Sequence, residues 1–268
     1  MSEATFWRDA PEAEFAVIGD PIGHSKSPSM HQAAYDELGL PYRYVALHVP
    51  AGEVGEALDF LRLRGYQGVN VTVPHKEAAM EWCDGVQPLA RTVRAVNTLR
   101  MADKAGINTD APGFLETLAD RGVMTGEALL LGAGGSARAL AHALVREGWT
   151  LRIFNRTRSR AEAMVQEMAL DARTVDEPDP AGAHLVLNTT SASLQGDALS
   201  LDWSRARPDA LAYDLMYASG LTPFLARASA QGIRVCDGRP LLVAQGALAF
   251  EWWIGVPAPR EAMAEAIR

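Results

Sequence analysis

The stretch EALLLGAGGSARALAHALVREG, residues 127–148, constrains the fold more than any other part of this 268-residue chain. An apolar strand pattern at Ala128–Leu131 runs into Gly132, Gly134 and Gly135, and a helical pattern begins directly behind them. Gly132 suits a tight turn. Gly134 lets backbone amides approach a pyrophosphate at a helix N-terminus, and Ala137 takes the close-packing third position. The glycine string alone is a weak signal, open to the plainer reading of a turn in any α/β domain. The strand before it and the helix after it favour a dinucleotide-binding turn. Further strand candidates at 149–154, 172–175, 184–188, 211–216 and 233–236 bring the number to six, a full dinucleotide-binding sheet.

The end of the next strand bears on the cofactor. Readers of NAD place Asp or Glu about 20 residues after the turn, to accept from the ribose hydroxyls. Here that stretch is FNRTRSR (154–160), with no acid and three arginines. Arg156, with Arg158 or Arg160, suits a 2′-phosphate, because guanidinium groups pair with phosphate bidentately. The plainer reading is a solvated helix start with a threonine N-cap. The chain carries 33 acids against 25 bases, so a local reversal of sign favours NADP. The same net charge of -8 argues against non-specific binding to nucleic acid or to an anionic membrane. Cys83 and Cys236 cannot form a disulfide framework and lack zinc spacing, so both read as reduced packing residues. The acidic start MSEATFWRDAPEAE is unlike a signal peptide, and no apolar run approaches the ~18–20 residues of a membrane span. A cytoplasmic location is expected.

Strand and helix patterns alternate along the first half as well, which points to an α/β protein with largely parallel sheets. Strands are expected at 14–19, 42–49 and 68–73, and a hairpin at 95–101 and 104–108. Helices are expected from Pro28 to about Leu38, over 53–64, 112–122 and 241–254, with a short one at the end. Ser27 suits the first N-cap, Pro28 the first helical position and Gly39 the stop. The expected domains are 1–110 and 111–240, with 241–268 packing back on the first. A hinge near 108–112 would close around a ligand.

Polar residues gather in the first domain. Ser25 and Ser27 precede a helix, a natural carboxylate site, although a lone Ser27 reads equally as a cap. In GVNVTVPHK (68–76), Val69, Val71 and Val73 alternate with Asn70 and Thr72, and Asn97 adds a second amide near a strand. Buried polar groups need partners, which a hydroxylated ligand supplies. Lys76 and Asp110 are the acid/base candidates. An ammonium in a partly dry site exchanges a proton with a hydroxyl more readily than one in water, and a carboxylate would orient it. Alone, Lys76 reads as an exposed lysine at a helix start. His24, His31, His48 and His75 show no metal spacing and read as structural or peripheral. No metal is expected.

GDPIGHSKSP, NVTVPHK, AVNT, NTD, GAGGSARA, FNRT and VCDG…LLVAQGA, in this order, resemble the shikimate dehydrogenase family over nearly the whole chain. The resemblance implies an N-terminal α/β substrate domain, a Rossmann-type doubly wound NADP-binding domain, and an active site in the cleft between them. It implies reversible NADPH-dependent reduction of 3-dehydroshikimate to shikimate, for aromatic amino-acid biosynthesis. Ser25 and Ser27 would hold the substrate carboxylate, with Tyr217 near it. Asn70, Thr72, Asn97, Asp110 and Gln245 would bind ring hydroxyls, and Lys76 paired with Asp110 would be the acid/base. Gly132, Ala133, Gly134, Gly135, Ser136 and Ala137 would take the pyrophosphate. Asn155, Arg156, Thr157 and Arg160 would surround the 2′-phosphate, with Met216 and Gly238 near the nicotinamide.

The chain departs from the family pattern at Ala218 and Ser219, where Asn-Pro is expected, and at Pro240 and Leu241, where Gly-Met is usual. NTTSAS (188–193) also differs. These departures bear on the nicotinamide wall. Two rivals stand beside the reading: a quinate/shikimate dehydrogenase accepting NAD, and a shikimate-sensing module without turnover. The arginines weigh against the first. The acid/base pair and the absence of an appended DNA-binding segment weigh against the second. A homodimer is compatible with the sequence.

Overall fold

The structure is a computed structural model that describes residues 5–190 and 201–268. Residues 1–4 of the acidic start and 191–193 of NTTSAS lie outside the described residues. The chain forms two compact units, 1–113 with 242–268, and 114–241.

The first unit is built on a seven-stranded sheet in the order β1-β3-β2-β4-β6-β7-β5. Its strands are β1 (Thr5–Phe6), β2 (Phe15–Gly19), β3 (Tyr44–His48), β4 (Gly68–Val71), β5 (Gly85–Val86), β6 (Thr98–Arg100) and β7 (Ala105–Ile107). Pairing is parallel except where β6 runs antiparallel to both β4 and β7. Every residue of β2 is buried, as a strand covered on both faces requires. Alternation sends Ala16 and Ile18 to one face, where they join Leu47, Val69 and Val71 against α2 (Val54–Leu63) and α3 (Lys76–Trp82). Phe15 and Val17 face the other way. They pack with Tyr44 against α1 (Ser27–Glu37), the C-terminal part of α9 (Arg239–Ile254) and α10 (Arg260–Glu265). The short α4 (Pro88–Val93) precedes β6, and α5 (Asp110–Ala119) carries the chain into the second unit.

Two local expectations are corrected. Ser27 is not the cap of α1 but its first residue, because Lys26 is already in the right-handed helical region. Ser25 Oγ accepts from the Ser27 amide at 3.2 Å instead. The helix does stop at Gly39 (φ +62°), where the amides of Gly39 and Leu40 donate to Asp36 and Tyr35. The strand at 68–73 ends at Val71, and Val73 is 54% exposed rather than a third core valine. β2 ends at Gly19, and beyond Val71 the chain is tied to the β2 segment by Thr72 N to Ile18 O at 2.9 Å and Asp20 N to Val73 O at 3.0 Å.

The second unit holds six parallel strands in the order β10-β9-β8-β11-β12-β13. These are β8 (Glu127–Leu131), β9 (Thr150–Phe154), β10 (Ala172–Thr174), β11 (Leu185–Asn188), β12 (Leu211–Asp214) and β13 (Arg234–Cys236). Renumbered within the unit this is 3-2-1-4-5-6, the doubly wound dinucleotide-binding order. Its helices are α6 (Gly135–Arg146), α7 (Arg158–Glu167) and α8 (Pro223–Ala230). Leu129, Leu131, Val186 and Ala212 pack one face of the sheet against Phe224 and Leu225 of α8.

Candidate active site

The polar residues of the first unit converge where β4 hands over to α3. The chain turns at Pro74, and Lys76 opens α3 with its carbonyl accepting from Val96 N at 3.0 Å. Lys76 Nζ donates to Asp110 Oδ2 at 2.5 Å, and both side chains are 8% exposed. A pair this buried is stable only when its remaining lone pairs are also satisfied. Asn97 Nδ2 meets that need, donating to Asp110 Oδ1 at 2.8 Å. The same amide donates to Thr109 Oγ1 at 2.9 Å and reaches Gln245 Oε1 at 3.4 Å, while Asn97 Oδ1 accepts from Thr109 N at 2.8 Å. Gln245 Nε2 is held by Leu242 O at 2.8 Å.

Asp110 is itself placed by a residue the sequence reading passes over. Asn108 Oδ1 accepts from the amides of Asp110 and Ala111 at 3.1 and 3.2 Å, satisfying donors at the start of α5, and its Nδ2 donates to Ala95 O at 3.0 Å. An asparagine two residues before a helix is the available signal.

Asn70 lies in the same network, but both its donors are used within the protein, on Asn97 O (3.2 Å) and Thr98 Oγ1 (3.0 Å). Its Oδ1 accepts from Tyr44 OH at 2.7 Å, leaving one lone pair. The hydroxyls of Ser27 and Thr72 make no hydrogen bond among the described residues, so both can bond a ligand. The Thr72 methyl lies 2.5 Å from where a Cβ on Gly19 would stand, so only glycine fits there.

The histidines stay outside this network. His24 is exposed, His48 bonds Asp20 Oδ1 at 3.1 Å, and His75 Nε2 meets Val49 O at 2.7 Å. Among the described residues no cluster of His, Cys, Asp or Glu could hold a metal ion.

In the second unit, Gly132 has φ +117°, and a Cβ there would stand 2.4 Å from Thr189 Oγ1. Gly134 is the extended N-cap of α6, with no side-chain cap and open space around its α-carbon. Ala133 lies in this turn, Gly135 and Ser136 open α6, and Ala137 is fully buried behind them. The start of a twelve-residue helix is therefore left without a side-chain cap. At the end of β9, Asn155 Nδ2 donates to Thr157 O at 2.7 Å; Thr157 precedes α7 without capping it through its side chain. Arg158 is engaged by Glu162 at 2.7 Å and by Asp176. The side chains of Arg156 and Arg160 make no hydrogen bond or ion pair among the described residues.

Met216 and Tyr217 follow β12, and Met216 is anchored by Asp214, which is fully buried. Asp214 accepts from Asn188 Nδ2 at 2.9 Å, Met216 N at 3.1 Å and Thr222 Oγ1 at 2.6 Å. Gly238 N donates to Met216 O at 3.2 Å, and a Cβ on Gly238 would stand 1.9 Å from Leu215 O. At the departures from the family pattern, Arg239 spans the two segments. Its guanidinium donates to Ala218 O and to Asp237 Oδ2, the latter at 2.7 Å. Pro240 takes the second position of α9, where its missing amide hydrogen costs nothing, and Leu241 is buried.

A doubly wound sheet with an open glycine turn, together with a buried lysine–carboxylate pair, defines an α/β oxidoreductase of the dinucleotide-binding class. Residues 17–99 match the family described as "Shikimate dehydrogenase substrate binding domain", and 238–268 match "Shikimate 5'-dehydrogenase C-terminal domain". A "Shikimate dehydrogenase (NADP(+))" of Anaeromyxobacter dehalogenans is 42% identical over 95% of each chain. A solved shikimate 5-dehydrogenase from Thermus thermophilus, in complex with NADP(H) and shikimate, is 41% identical and superposes with a TM-score of 0.86, covering 95% of this chain and 98% of that one. The chain belongs to the shikimate dehydrogenase family.

Proposed function

We propose that this protein catalyses the reversible reduction of 3-dehydroshikimate to shikimate with NADPH, the substrate held by the first unit and the cofactor by the second. The observation that carries the reading is the buried Lys76–Asp110 contact of 2.5 Å, set among amides and hydroxyls suited to a polyol. The second unit fits the cofactor. Gly132 and Gly134 leave the backbone of the α6 start open to a pyrophosphate, and Arg156 and Arg160 remain for a 2′-phosphate while Arg158 is held by carboxylates. Bound there, NADPH supplies the hydride that a ketone carbon takes up.

The protein's own part is positioning and proton transfer. Ser25 and Ser27, at the start of α1, take the substrate carboxylate. Thr72, Asn97 and Gln245 take ring hydroxyls, with the spare lone pair of Asn70 Oδ1. Lys76 Nζ donates a proton to the C3 oxygen as it becomes an alkoxide and accepts it back in the reverse direction. Asp110 keeps the ammonium aimed, and Asn97 keeps Asp110 from turning. Among the described residues no helix is long and apolar enough to cross a membrane, and we place the activity in the cytoplasm.

The test is Lys76→Ala, followed through NADPH absorbance with 3-dehydroshikimate. Loss of a general acid lowers kcat by about 10²–10⁴-fold, while shikimate binding, read by calorimetry, largely survives. Near-normal turnover in a folded variant removes Lys76 from this role.

A further inference from the structure

Tyr44 and Asn70 are 26 residues apart in sequence and lie on strands that flank β2, where Phe15 pairs with Tyr44 and Val17 with Asn70. The Tyr44 ring is 4% exposed and stacks on His31, with centroids 4.4 Å apart and planes 2° apart. Its hydroxyl donates to Asn70 Oδ1 at 2.7 Å.

The direction of that bond follows from the other end of the amide. Asn70 Nδ2 faces the carbonyl of Asn97, and a carbonyl only accepts, so the nitrogen must point there and Oδ1 must face Tyr44. The phenol is then obliged to donate. A flipped amide would set two acceptors against each other at Asn97.

The Asn97 carbonyl also accepts from Val71 N at 2.8 Å, while the Asn97 side chain holds Asp110 Oδ1. A continuous series of bonds thus runs from Tyr44 through Asn70 and Asn97 to Asp110 and Lys76. Burial raises the Tyr44 phenol well above its usual range, so the donor proton stays in place.

We propose that Tyr44 is a positioning residue for the substrate site: its hydroxyl locks the Asn70 amide and, through Asn97, the setting of Asp110 against Lys76. The inference rests on the assignment of Lys76 and Asp110 to the reaction. Wild-type reduction of 3-dehydroshikimate by NADPH tests that assignment by itself.

Tyr44→Phe tests the inference, since it keeps the ring and its stack on His31 but leaves Asn70 Oδ1 without its donor. The variant is expected to lose about three- to tenfold in kcat/KM for 3-dehydroshikimate with KM for NADPH unchanged. Its kcat–pH profile shifts because the partner of Lys76 is less firmly set. In an Asn70→Ala background the same substitution is expected to add no further loss, the mark of an effect that passes through Asn70. Thermal midpoints of all three variants accompany the kinetics, so a merely structural role shows as a lower midpoint with unchanged kcat/KM and pH profile. Either that pattern, or an undiminished Tyr44→Phe effect without Asn70, overturns the proposal. A wild type without turnover overturns the reaction assignment instead.

Discussion

His31 carries a cost that stability measurements can detect. It is fully buried, and neither ring nitrogen has a hydrogen-bond partner among the described residues. Burial pushes its imidazole down from 6.5 to about 3. Between those values the unfolded chain binds a proton that the native state refuses, so stability rises with pH through this window. The contribution is whole above the unfolded value of 6.5 and is lost as pH falls toward about 3. His75, lowered chiefly by burial, acts with the same sign. His31→Phe keeps a ring against Tyr44 and removes the proton site. Urea midpoints measured from about pH 7 to pH 4 should therefore fall less steeply in the variant than in the wild type. Parallel curves would mean that His31 is not the source. The sequence reads His31 as structural or peripheral, and in the structure it is buried and stacked on Tyr44. The neighbouring holding residues are not exposed in the same way. Tyr44 acts on Asn70, 26 residues away and brought to it only by tertiary structure, whereas Asn108 and Asp214 also hold amides two residues on, a signal local spacing does carry.

At the scale of elements, legibility follows length and burial. In the second unit β8, β9, β11 and β12 are readable as largely buried runs of four or five residues, and the glycine turn fixes where the order begins. By contrast, β10 (Ala-Arg-Thr) and β13 (Arg-Val-Cys) carry little apolar pattern. Between residues 77 and 94 no such periodicity is present. There α3, β5 and α4 span seven, two and six residues, lengths at which packing decides rather than pattern. The convergence of Asn97 with Gln245, 148 residues apart, is available only through resemblance to a known family. The cap expected at Ser27 fails because capping preference is a weak prior beside the backbone setting of Lys26.

One element junction makes a sharp prediction. β12 leads into Leu215, whose carbonyl lies 1.9 Å from where a Cβ on Gly238 would stand, and backbone on both sides leaves no flexible side chain to yield. Gly238→Ala must therefore displace the segment after β12, or the turn before α9. The expected loss is about 1–3 kcal/mol in urea unfolding, typical of overpacking, with KM for NADPH raised more than KM for 3-dehydroshikimate. Wild-type stability in this variant would show that the two turns separate without cost.

For the whole molecule, charge and ligand binding have to be considered together. The chain carries a net charge of -8, yet Arg156 and Arg160 stand beside the end of β9 with no carboxylate of their own among the described residues. On the proposed assignment of these arginines to the 2′-phosphate, a doubly charged phosphate would reach them against the overall field and be held by a local one, so its affinity should weaken as salt screens the contact. A ligand that binds only the native state stabilises what it touches, and amide hydrogen exchange reports this segment by segment. Adenosine 2′,5′-bisphosphate is expected to slow exchange at 132–138 and 155–160, and shikimate to slow it at 70–76, 97 and 108–111. Adenosine 5′-monophosphate, which lacks the 2′-phosphate, should protect 155–160 far less, and raising salt should narrow the difference between the two nucleotides. Equal protection by both would remove the arginines from cofactor choice. Protection by shikimate confined to 132–160 would overturn the placement of the substrate on the unit that carries Lys76 and Asp110.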